Sequence, residues 1–96
     1  MEYLKVHWRH EFQDEPIIIY FELDEDRNEV RKIEMYNDGS FGLASKDVTY
    51  NNSILSTEPI PLKEEIMSDS QFKALEINKV NFIKLWDELL EKISNE

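Results

Sequence analysis

The sequence predicts an α+β domain: an antiparallel β-meander sheet of three to five strands, a C-terminal amphipathic helix packed on one face, and a short helix before it. Three observations lead there. Apolar residues recur at every second position in the runs up to Ala44, as half-buried strands require. The links between those runs are short and rich in turn formers, which suits antiparallel neighbours; parallel ones need a long crossover. From Phe82 to Ile93 the apolar spacing changes to that of a helix. Ninety-six residues allow one domain, taken as 1–96.

The first strand covers Glu2 to His10, where Leu4, Val6 and Trp8 alternate with Tyr3, Lys5, His7 and Arg9. Pro16 restarts the sheet. Ile17, Ile18 and Ile19, followed by Tyr20 and Phe21, are branched or aromatic and fit a pleated surface. Ile17, Ile19, Phe21 and Leu23 share one face; Ile18, Tyr20, Glu22 and Asp24 share the other. Asp24 to Asn28 makes a turn. The return strand, Glu29 to Asn37, has Ile33 and Met35 at one parity but Val30 and Tyr36 at the other, so it is either bulged or covered on both sides. Asn37-Asp38-Gly39 is a hairpin turn, and Ser40 to Ser45 a short strand in which Gly42 lets a neighbour approach closely.

Residues Lys46 to Pro61 read as a long mobile loop, anchored by Val48, Tyr50, Ile54 and Leu55, with Pro59 and Pro61 excluding a central strand. Leu62 to Ser68 forms the short helix, and Phe72 to Ile77 a last edge strand. Asn78 caps the main helix, Ile77 and Phe82 are placed for a hydrophobic staple, and Phe82, Ile83, Trp86, Leu89, Leu90 and Ile93 make its stripe. That stripe is expected to lie across the apolar face of the sheet and bury Trp86 against Leu4, Val6, Ile17 and Ile19 or their neighbours.

Composition narrows the function classes. The net charge of −10 disfavours nonspecific nucleic-acid binding and favours a basic protein partner. There is no cysteine, so thiol chemistry and disulfides are excluded. The first residues do not read as a signal peptide and no apolar run reaches the ~18 residues of a membrane span, so a cytoplasmic protein without membrane contact is expected. No cofactor is implied. A metal site is not expected either: His7 and His10 have opposite parity, and Asp24, Asp26 and Asn28 open like a calcium loop whose required glycine is replaced by Glu29. The sequence leaves the oligomeric state open.

Glu22, Asp24, Glu25, Asp26 and Glu29 form an acidic knot, either a solvated turn or a docking patch for a basic protein. With Glu34 and the aromatic anchors Tyr20 and Tyr36, they are the candidate partner-binding residues. His7, Glu22 and Glu34, beside Arg9 and Arg31, could in principle do acid–base work, but opposite charges on adjacent strands pair for stability more simply. No nucleophile elbow, phosphate loop or dinucleotide fingerprint is present, and no enzyme is expected.

Tyr3-Leu4-Lys5-Val6-His7-Trp8, Asp14-Glu15-Pro16, the run Tyr20 to Arg27, Glu29 to Glu34 and Asp38-Gly39 together resemble a family of small bacterial domains of unknown function, with a looser match at Glu64-Glu65-Ile66 and Leu85-Trp86. Arg9 and the stretch from Val48 to Thr57 depart from its pattern. The resemblance brings no activity; it implies small cytoplasmic proteins, some encoded among toxin–immunity genes. The leading reading is therefore an immunity-type inhibitor that neutralises a basic toxin. The alternatives are a nucleic-acid mimic that inhibits a DNA- or RNA-binding protein, and a small enzyme using His7, Glu22 and Glu34.

Overall fold

The computed structural model describes residues 1–95. Strands β1 (Glu2–Trp8), β2 (Ile18–Leu23), β3 (Glu29–Met35), β4 (Phe41–Ser45) and β5 (Thr49–Tyr50) run as an antiparallel meander. A long connection, containing the single-turn helix α1 (Lys63–Ile66), then leads to β6 (Phe72–Glu76), which pairs antiparallel with β1. The resulting order is β5-β4-β3-β2-β1-β6. The sheet thus has six strands, the two-residue β5 taking it past the expected number. Helix α2 (Lys79–Ser94) closes the chain.

Because β5 and β6 are opposite edges, the connection between them, here called the strap, must cross the sheet. It does so on one face and α2 lies on the other. Tyr3, Ile33 and Leu43 of the sheet form a cluster with Phe82, Trp86 and Leu89 of α2. Leu4, Val6, Phe21, Leu23 and Ala74 form a second cluster, against which Ile60 and Ile66 of the strap are packed. This corrects the expected helix position. Trp86 does not meet Leu4, Val6, Ile17 and Ile19, but sits on the face of opposite parity. The physical reason is that both faces are apolar over part of their area. On β1 and β2 the helix-side positions are Tyr3, Lys5, Tyr20 and Glu22, which look wet in isolation. On β3 and β4 that same face carries Ile33, Met35, Phe41 and Leu43, which give α2 its floor.

The local details follow from chemistry. Leu23 pairs with Glu29 while Glu22 pairs with Arg31, so Val30 is the extra residue of a bulge, and β3 is also covered on both sides. Gly39 adopts φ 87° at the β3–β4 turn, where Asp38 accepts from the backbone and hydroxyl of Ser40. Asn78 Oδ1 accepts from the N–H of Asn81 at 2.8 Å, the expected cap of α2.

Candidate functional site

The β2–β3 turn is a built structure. Asp24 Oδ1 accepts from the N–H groups of Asp26 and Asn28, both at 2.9 Å, and its carbonyl accepts from the N–H of Arg27. Arg27 takes φ 64°. Its guanidinium pairs with Glu2 and donates to the carbonyls of Ile60 and Pro61, each at 2.8 Å. The Ile60 N–H returns a bond to the Arg27 carbonyl at 2.8 Å. Asp24 and Arg27 therefore shape the turn and fasten it to the strap, while Glu25 and Asp26 stand exposed.

Glu22 lies elsewhere. It is 5% exposed, on the α2 face. The Tyr3 hydroxyl donates to Oε2 at 2.7 Å, and Arg31 donates to Oε1 and Oε2 at 2.6 and 2.9 Å. The Arg31 guanidinium also lies 5.3 Å from the ring centres of both Phe82 and Trp86. Arg31's hydrogen bonds hold the Glu22 carboxyl below its ordinary value, against the opposing effect of burial. The same contact raises Arg31, and burial followed by the Glu22 bond raises the Tyr3 hydroxyl.

The two remaining acidic candidates face the strap. Glu29 is buried, pairs with Lys32 at 3.2 Å and accepts from the N–H of Ser56 at 2.9 Å. Glu34 accepts from the Ser53 hydroxyl at 2.6 Å. Tyr20 lies on the α2 side beneath Lys5, whose ammonium is 5.5 Å from the ring centre. Tyr36 sits at the β3–β4 turn, with its hydroxyl raised by burial and then by Glu34 and Glu15. Of the eight partner-binding candidates, only Asp24, Glu25 and Asp26 gather in one place. His7 and Glu22 share a face but are well separated along the sheet, and Glu34 is on the opposite face, so the three do not converge. Burial, then Lys5 and Lys73, lower the His7 imidazole.

Of the strap residues Ser53, Ser56 and Ile60, the two serines read in the sequence only as turn and loop formers, and Ile60 is not singled out there. All three fasten a segment expected to be mobile. Ile54, expected as an anchor, is 69% exposed, and Ser53 at 2% takes that place. The legible signal was Gly42. A Cβ there would meet the Ser53 Cβ at 3.0 Å and the Tyr50 carbonyl at 3.3 Å, so the glycine admits the strap. Between strap and sheet lies an open apolar cleft of about 300 Å³, lined by Val6, Ile19, Phe21, Ile60, Ile66 and Phe72, with Glu65 and Asp69 at its rim. At the adjoining sheet end, Trp8, His10 and Phe12 pack in series. The Trp8 indole N–H is buried and meets no acceptor among the described residues. Among those residues no group of three His, Asp or Glu could hold a metal, and no helix is long and apolar enough to cross a membrane.

A family profile described as "Domain of unknown function (DUF6881)" matches residues 2–91. No curated protein and no solved structure matches the chain.

Proposed function

The chain belongs to the DUF6881 family, a domain of unknown function, and from that premise we propose that it is a protein-binding module whose partner is a basic protein, most concretely a toxin that it neutralises inside the cell. One observation carries this reading. The β2–β3 turn is held from within by Asp24 and from behind by Arg27, so Glu25 and Asp26 project from a fixed support. A rigid pair of exposed carboxylates on a chain of net charge −10 gives both long-range attraction and a defined local contact. The buried carboxylates Glu22 and Glu29 do a different job, inside the fold.

The test is capture of partners from the native cell, followed by surface plasmon resonance of the identified protein. Wild type is compared with Glu25→Lys/Asp26→Lys at two salt concentrations. Asp24 is left in place because its side chain forms the turn. A basic partner should associate more slowly as salt rises and roughly tenfold more slowly with the double reversal, since charge acts mainly on encounter. Unchanged kinetics in both comparisons would remove the turn from the interface. Turnover of a small molecule with no protein partner would sink the binding class.

A further inference from the structure

We propose that the cleft between strap and sheet is the anchoring slot of this interface, and that it takes one apolar side chain, flanked by basic residues, from the partner. This rests on the reading above that the partner is a basic protein. The cleft's lining is nearly all hydrocarbon: Val6, Ile19 and Phe21 from the sheet, Ile60 and Ile66 from the strap, and Phe72 from β6. Its volume of about 300 Å³ lies at the small end of known ligand pockets, a size suited to a single side chain.

Its exposed border is acidic, and the opposite wall is tied to the acidic turn. There the Arg27 guanidinium, paired with Glu2, bonds the carbonyls of Ile60 and Pro61 and so fastens the β2–β3 turn to the segment that forms the wall. On the other side Glu65 and Asp69 stand at the rim, exposed to solvent. An apolar floor with a carboxylate border, on a chain of net charge −10, is complementary to an apolar residue set among Lys and Arg. A purely apolar or an acidic ligand gains nothing from that border and is repelled if negative. The strap's outer surface continues the pattern: Ile54, Leu62 and Met67 are 69%, 50% and 40% exposed, with Glu58, Glu64 and Glu65 among them.

The experiment is a titration of ¹⁵N-labelled full-length protein at low salt with capped five-residue peptides. One carries a central tryptophan between pairs of basic residues, the second replaces the tryptophan by alanine, and the third replaces the basic residues by acidic ones. The expected result is binding of the first peptide with shifts at Ile60, Ile66 and Phe72, at least about tenfold tighter than the second, since burying an aromatic ring is worth that much. The third should not bind. In Glu65→Lys, an exposed position, the first peptide should weaken several-fold; Asp69 is left in place because its Oδ1 accepts from the N–H of Gln71 in the turn before β6. If that variant fails to fold, the peptide comparison on wild type decides. Equal binding of the first two peptides, with shifts only near Glu25 and Asp26, overturns the slot and leaves the basic-partner reading standing. Binding of the acidic peptide as tightly as the first overturns the assigned charge chemistry. No binding of either basic peptide overturns both readings. A dimer in sedimentation that hides the cleft resonances assigns the face to a second copy and also overturns the slot.

Discussion

Glu22 on β2 and Glu29 on the neighbouring β3 lie on opposite faces of the sheet and are both buried, yet they are neutralised by different means. Beneath α2, Glu22 meets Arg31 and Tyr3, and the guanidinium is in turn covered by Phe82 and Trp86. Beneath the strap, Glu29 meets Lys32 and a backbone N–H of Ser56. The first face is closed by rings on a sixteen-residue helix, so every contact is backed by neighbours one turn away. The second is closed by a largely extended segment, fastened by hydrogen bonds at Ser53, Ser56, Ile60 and Pro61. An extended chain has no neighbour one turn away to share the load. The helix face is therefore built for global stability, and the strap face for local opening.

The sharpest way to break this contrast is Trp86→Ala, expected to cost about 3–5 kcal/mol in denaturant unfolding because the ring is core. A loss below about 1 kcal/mol would put the strength of the fold elsewhere. Next comes Glu22→Gln. Breaking a fully buried pair costs roughly 3–5 kcal/mol; Arg31 keeps about a fifth of its side chain in water, so about 2–3 kcal/mol is expected here. The pH dependence sharpens the same point. Glu22 has a lowered folded pKa, so its contribution is complete above the ordinary carboxylate value of 4.5 and is lost as pH falls toward the folded value. Acid unfolding followed by circular dichroism should accordingly be shallower in Glu22→Gln than in wild type. Ser53→Ala is expected to cost only about 1–2 kcal/mol. Its main signature should be faster amide exchange confined to strap residues 51–62, and uniform acceleration through β1 and β2 would show the two faces to be equally coupled. The smallest effect belongs to Glu25→Lys/Asp26→Lys, within about 0.5 kcal/mol of wild type in the same unfolding experiment.

Most of the element order was legible because period-2 and helical spacing are local properties. Asn78, Gly39 and Gly42 announced the cap, the turn and the close approach before any contact was known. Which face α2 takes was not legible. β1 and β2 alone present Leu4, Val6, Ile19 and Phe21 as the dry side, and the competing floor of Ile33 and Leu43 appears only when β3 and β4 are in register. The strap was hidden for a related reason. Its anchors are polar, and Ser53 and Ser56 read as loop formers until Glu34 and Glu29 are seen opposite them. The acidic knot likewise looked continuous in sequence, but strand alternation sends Glu22 and Glu29 to opposite faces and leaves only the turn residues together.

The placement of β6 beside β1 has a consequence for how the chain comes to exist. β1 has one neighbour that follows it closely and another, β6, about seventy positions later, which makes its second edge among the slowest contacts to form. While the chain is being synthesised, that edge stands unpaired for seconds, with the hydrocarbon of Leu4 and Val6 beside it and the strap not yet made. Nascent chains on the same messenger could pair there. Like charge opposes such pairing, because the chain carries a net charge of −10.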